Sequence, residues 1–234
     1  MRGPYLLVLL GVTLVVVAAT REASSGALAA SGAPAALGAL LTTVATEVDA
    51  EGVTRTSSFQ ERLIRDDGHA WIERVYPAGV TPVHAADEHG LNLRVAARSY
   101  TRVKPGSDEV QIALVSVPDK MIVDIGPESY AGLGLSSHWS VASQLVDLAR
   151  LRPSGEAAPT GAKWYVRAAG AKKDYFRVLW SSRFQLPLAI ESGSADGRVK
   201  TRTTIEPAVL PAGTTLPWTQ LATFGHRDLS DLED

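Results

Sequence analysis

The sequence predicts an α+β domain, a large antiparallel sheet with helices packed on one side, and three observations carry that expectation. Between residues 53 and 206, apolar and polar side chains alternate with the period of two that gives a strand one dry and one wet face. Turn-forming clusters rich in Gly, Pro, Asp and Ser separate these segments at short intervals, the spacing of hairpins and meanders. Two stretches, 35–49 and about 136–150, instead repeat their apolar residues every three or four positions, as helices do.

The elements follow in order. Leu37, Leu40, Leu41, Val44 and Val48 predict a short amphipathic helix over 35–49, ended by Gly52. From Val53 to Tyr76 the pattern is a hairpin turning at Asp66-Asp67-Gly68. Pairing Arg65 with His69 would set Leu63 opposite Trp71 and Phe59 opposite Val75, all four on one face. After the polar segment 77–90 come three strands: Leu91–Arg98, Val110–Val117 and Met121–Ile125, an antiparallel meander. The apolar loop Tyr130–Leu135 then leads to a helix capped by Ser136 or Ser137 and running to about Arg150, with Trp139, Val141, Leu145 and Leu148 inward. Further strands are expected at 163–168, 175–180, 186–191 and 198–206.

At the N-terminus, Arg2 and the uncharged apolar run Tyr5–Ala19, followed by small residues, form the pattern of a secretory signal. Cleavage after Ala19 or after Ala29 fits the small-residue rule, and an uncleaved anchor is the competing reading. Residues 1–29 are thus assigned to the signal and the start of a tether, and 30–234 to a single β-rich domain that is periplasmic or secreted. The chain has no cysteine, which excludes a Cys-acylated lipoprotein and a disulfide scaffold. With 23 Lys and Arg against 25 Asp and Glu there is no basic stripe to hold phosphates, so nucleic acid is not an expected partner. Membrane contact is expected only through an uncleaved signal segment.

The exported N-terminus, the helical pattern followed by Thr56-Ser57-Ser58-Phe59-Gln60-Glu61, and the C-terminal layout Val178-Leu179-Trp180, Leu186-Pro187-Leu188-Ala189-Ile190-Glu191 and Asp196-Gly197 resemble the superfamily of periplasmic lipoprotein carriers and receptors, LolA and LolB, with the related sensor RseB. That resemblance implies an incomplete β-barrel with helices covering one face. It also implies a concave sheet that binds an apolar ligand (a lipid, an acyl chain or a lipidated peptide) or a periplasmic protein partner. The absence of a lipidation cysteine sets the chain apart from the receptor branch.

Chemical motifs are sparse. His84-Ala85-Ala86-Asp87-Glu88-His89 resembles a zinc helix motif with one residue too many, and five-residue spacing sends the two rings to different faces of any regular element. A metal-binding or accessory role for the His84/His89 loop is therefore the alternative function, and no metal or cofactor is expected. No Gly-x-Ser-x-Gly run is present, and Gly132-Leu133-Gly134 lacks both the third glycine of a dinucleotide loop and the Lys of a phosphate loop. Nothing names a catalytic residue, so the chain is not expected to be an enzyme. The expected ligand-binding face comprises Phe59, Leu63 and Trp71, extended by Leu93, Val95, Ile112 and Val123. Leu133 and Leu135, in the loop before the second helix, belong to an expected lid over that face.

Overall fold

The stretch expected as a helix over 35–49 is instead a twelve-residue strand, β1 (Leu37–Val48). Leu37, Ala39, Leu41 and Thr43 are buried at strict two-residue spacing, while Leu40 and Val44 point the other way. The apparent helical period mixed residues of two opposite faces. Thr42, Thr43, Val44, Thr46 and Val48 are β-branched and stiff at χ1, which favours the pleated conformation. Tertiary context completes the reversal, because β1 pairs along nearly its whole length with a neighbour on each side. Gly52, with φ of 81°, serves the turn after β1 rather than a helix cap.

The computed structural model describes residues 36–80, 95–168 and 174–232. The remaining strands are β2 (Thr54–Arg65), β3 (His69–Val75), β4 (Ala97–Arg102), β5 (Val110–Ser116), β6 (Met121–Ile125), β7 (Arg152–Pro153), β8 (Ala162–Val166), β9 (Tyr175–Ser181), β10 (Leu186–Gly193), β11 (Val199–Val209) and β12 (Gly225–Asp228). All twelve form one sheet in the order β12-β6-β5-β4-β3-β2-β1-β11-β10-β9-β8-β7. Every pairing is antiparallel except that of β12, which lies parallel to β6. The sheet is not closed into a barrel: β12 and β7 are its edges. The expected meander and C-terminal strands are present, but the first meander strand is displaced: β4 runs Ala97–Arg102, sharing only Ala97 and Arg98 with the expected 91–98, Val95 and Ala96 lie in the bend before it, and 91–94 lie outside the described residues.

In the β2–β3 hairpin the register differs by one residue from the expected one. Arg65 pairs with Ala70, Leu63 with Ile72 and Ile64 with Trp71. The cause is local: the Asp66 Oδ1 carboxylate oxygen accepts from the Gly68 and His69 N–H groups at 2.8 and 2.7 Å. This Asx turn tightens the loop to Asp67-Gly68. A one-residue slip moves a side chain to the other face, so Leu63 and Trp71, expected together, lie on opposite sides of the sheet. Leu63 joins Leu37, Ala39, Leu41, Ile72, Tyr100, Ile112, Val123 and Ile205 in one core cluster. Trp71 joins Ile64, Ala97, Val115 and Ile122 in another.

The cover also differs from the expectation of helices on one face. The expected second helix is a six-residue helix, α1 (Trp139–Gln144), followed by a separate 3-10 turn, Leu148–Arg150. It stops because Leu145 takes a left-handed φ of 65°, with its N–H bonded to the Val141 carbonyl. Loop 126–138 and α1 lie over the first cluster, and we call that side the lid face. The opposite side is covered by residues 210–224, a strap containing the 3-10 helix Pro217–Thr223, and we call it the strap face. Both faces are thus dry in their centre, and the fold is almost wholly β.

Candidate functional site

The lid is fixed to the sheet at three points. The buried Tyr130 places its hydroxyl beside the start of β5, where it accepts from the Ile112 N–H at 3.2 Å and donates to the Val110 carbonyl at 3.4 Å. Asp108, in the β4–β5 turn, caps α1 from outside the helix: Oδ1 accepts from the Ser140 N–H at 2.8 Å, Oδ2 pairs with His138 Nδ1 at 2.9 Å, and the Asp108 carbonyl accepts from the Trp139 N–H at 2.7 Å. At the other end, the Arg65 guanidinium donates to the Ser143, Phe184 and Gln185 carbonyls. It thereby joins β2, the last turn of α1 and the β9–β10 turn. Burial lowers the Arg65 pKa, and these carbonyls are what the charge receives in place of water.

Asp108 gives the latch a pH dependence. Partial burial works against its ionisation, but hydrogen bonds from Ser140 and His138 prevail and hold the carboxyl below its ordinary value. A group with a depressed folded pKa contributes stability above its unfolded value, about 3.9, and loses it as pH falls through the folded value. The α1 N-terminus should therefore stay docked from pH 7 to about 5 and loosen only below about 4. Amide exchange of Val141–Ser143, followed against pH in the parent and in Asp108→Ala, checks this. Protection that decays around pH 6 in the parent would rule out the carboxylate as the latch.

Beneath the lid lies a cavity of about 290 Å³. Leu41 and Ile72 from the sheet, Leu135 from the loop, Val141 from α1, Leu145 just after it and Ile190 from β10 supply its apolar wall. One side is polar: Arg98 on β4 donates to Glu61 on β2 at 2.7 Å, next to Tyr100, Thr43 and Thr203. Burial pushes the Tyr100 phenol pKa up, with Arg98 opposing and Glu61 reinforcing the shift, so the hydroxyl stays neutral at physiological pH. Close by, Arg74 lies over the Phe59 ring at 3.8 Å, and its Nη1 has no hydrogen-bond partner among the described residues. The lining is thus about equally polar and apolar, which suits an amphipathic molecule: burial of its apolar part binds it and the polar side orients it. A larger cleft, about 1130 Å³, opens beside the Asp108–His138 latch and is lined by Ser99, Thr101, Gln111 and Asp124. Val110, Ile112, Ile125 and Tyr130 line it as well, so its wall is more apolar than polar.

The residues expected to line the ligand face fall into four groups. Leu63, Ile112 and Val123 are fully or almost fully buried under the lid, and Phe59 shares their face but is only half-buried. Leu135 packs against that cluster and lines the cavity, whereas Leu133 is 46% exposed. Trp71 is on the strap face, and Val95 is half-buried just before β4. Leu93 lies outside the described residues, as do His84, His89 and the signal segment. Among the described residues no group of three or more His, Asp or Glu side chains is arranged to hold a metal ion. None of their helices is long and apolar enough to cross a membrane. Sequence reasoning missed Leu41, read as helical, and Glu61, Arg65, Arg98 and Asp108. Alternation did place Glu61 and Arg65 with Leu63, but it gave no reason to expect charge under a lid.

No family model matches the chain, and no curated protein matches it. Solved structures similar to it include an uncharacterised conserved protein from Thermus thermophilus, with 12% identity, a TM-score of 0.38, and 81% of this chain and 90% of that one covered. A LolA superfamily protein from Nitrosomonas europaea is 6% identical at a TM-score of 0.36, with 79% and 89% covered. MucB is 13% identical at a TM-score of 0.32, with 80% of this chain and 57% of MucB covered. The superfamily that the sequence resembles is among these matches. At such identities and TM-scores the likeness extends to the fold alone.

Proposed function

We propose that the chain is an exported periplasmic binding protein that holds an apolar ligand, such as an acyl chain or lipidated peptide, between the sheet and the lid. It acts by binding rather than catalysis. The observation that carries this reading is the cavity of about 290 Å³, walled by Leu41, Ile72, Leu135, Val141, Leu145 and Ile190. Its volume is at the lower end of small-molecule sites, so one chain would fill it as the lid stands. Because the lid is loop and a single short helix tied down by hydrogen bonds at Tyr130, Asp108 and Arg65, it can open by breaking a few named bonds without dismantling the sheet. Export rests on Arg2 and the Tyr5–Ala19 run.

Two measurements test the reading. Mass spectrometry of an organic extract of protein freshly purified from its native host should reveal a bound apolar molecule, and N-terminal sequencing of the same material should begin near residue 20 or 30. With a fluorescent acyl probe, Leu135→Ser should weaken binding by about tenfold, the loss expected from one to two methylene-equivalents of buried contact. Leu133→Ser, at an exposed site, should shift unfolding by no more than about 0.5 kcal/mol. Failure of the parent protein to bind any probe, with a clean extract, would refute a ligand-carrying role.

A further inference from the structure

On the strap face, residues 210–224 are tied to the rest of the fold by hydrogen bonds only at their ends among the described residues. Leu210 N–H donates to the Ala36 carbonyl, and Gly225 N–H to the Lys120 carbonyl. Between these points the strap's hydroxyls serve its own backbone: Thr214 donates to Pro211, Thr219 to Leu216 and Thr223 to Gln220. The middle is held by apolar contact of Leu216, Trp218, Leu221 and Phe224 with the Trp71 cluster, and by Trp218 stacked on His69 at 5.0 Å. Apolar contact is non-directional, so this segment can shift without orphaning a hydrogen bond to the sheet.

Under the strap is a cavity of about 600 Å³, twice the size of the one under the lid and well inside the range of ligand sites. Gly38, Ile64 and Trp71 form its floor, and Leu210 and Leu216 close it from above. A Cβ at Gly38 would lie 2.8 Å from Leu210 Cδ2, so a larger residue there would push the Leu210 side chain aside. One side wall carries charge. The strand registers align Glu206, Leu40, Arg62 and Glu73 across four strands. Both Glu73 oxygens are engaged, Oε1 by Arg62 and Oε2 by the Trp71 indole N–H at 2.8 Å. The cation of this wall is thus already neutralised, and Glu206 stands at the cavity without a cationic partner among the described residues.

We propose that this cavity is a second ligand site, independent of the lid cavity, and that it takes a single-chain amphiphile with a cationic head. The chain lies over Gly38, Ile64 and Trp71 beneath Leu216, and the head meets Glu206. An anionic head at the same place would face an unpaired carboxylate beside apolar walls.

Titration of the full-length protein carrying Leu145→Trp, which fills the lid cavity and so removes the acyl site there, with decylamine, decanol and decanoate, followed by calorimetry and tryptophan fluorescence, tests the site. Decylamine should bind about tenfold more tightly than decanoate, one gaining an ion pair and the other a repulsion of like size. Glu206→Gln, at an exposed position, should erase that preference while leaving the fold intact. Ala208→Trp, which fills the strap cavity, should abolish decylamine binding, whereas Leu145→Trp, which fills the lid cavity, should not. The proposal is overturned if no amphiphile binds, if decanoate binds as well as decylamine, if Glu206→Gln keeps the preference, or if Leu145→Trp rather than Ala208→Trp removes binding. Loss of acyl-probe binding alone would count against the lid reading and leave this one standing.

Discussion

Arg65→Met should destabilise the protein by about 2–4 kcal/mol and at the same time speed release of an acyl probe. The guanidinium is the only group that donates to the Ser143, Phe184 and Gln185 carbonyls among the described residues, and it makes all three bonds at once. A hydrogen bond involving a charged group contributes about 1.5–3 kcal/mol, and the part-buried Ser143 and Phe184 carbonyls left without a donor add a desolvation cost. Methionine keeps the aliphatic stem and its packing, so the loss reports the hydrogen bonds rather than a cavity. Arg65→Lys should recover little, since a single ammonium cannot serve three carbonyls in a planar fork. Urea unfolding gives the stability, and stopped-flow displacement of the probe gives the release rate. A fall in stability with unchanged release would show that Arg65 braces the β9–β10 turn but does not hold the lid.

Trp71→Ala and Leu63→Ala should both be severe, about 4 and 3 kcal/mol respectively, because each residue is fully buried. Their consequences should nevertheless separate. Trp71 supports the strap through its contacts with Ile64, Ala97, Val115 and Ile122, and its indole N–H holds Glu73 in place. Its removal should expose Trp218 and red-shift its emission while leaving acyl-probe binding near the parent value at temperatures where the variant is folded. Leu63 lies in the cluster beneath α1, and its removal should weaken probe binding without disturbing Trp218. If the two substitutions affected the probe alike, the residues would share a face, and the register set by the Asp66 turn would be incorrect.

The β-strands were legible wherever one face alternated cleanly with the other. Val110–Ser116 and Met121–Ile125 were recovered almost to the residue, and so were Tyr175–Ser181 and Leu186–Gly193. Leu37–Val48 was not, because it is a central strand buried toward the lid and also partly covered toward the strap. Apolar residues on both faces fill in the period of two and imitate a helix. The lid was legible as an apolar loop before a helical pattern, but its length as a helix was not: the break at Leu145 is a backbone conformation that the periodicity does not encode. The strap was unread because its apolar residues Leu210, Leu216, Trp218, Leu221 and Phe224 follow no regular period.

By itself, the sequence determined that this is a β-rich chain without cysteine, that several of its strands are joined by short turns, and that an apolar loop precedes a short helix. These properties depend on neighbours within a few positions: alternation, turn residues and composition. Only the tertiary structure decided which face each apolar residue serves. A single side-chain oxygen, Asp66 Oδ1, tightens one turn, shifts the β2–β3 register by one residue and sends Trp71 away from Leu63. The charged residues Arg65 and Asp108 acquire their roles only because the lid returns 78 and 32 residues later to β2 and to the β4–β5 turn that carry them. Periodicity along the chain carries no information about such long-range meetings, since they are set by which surfaces remain uncovered once the sheet has formed.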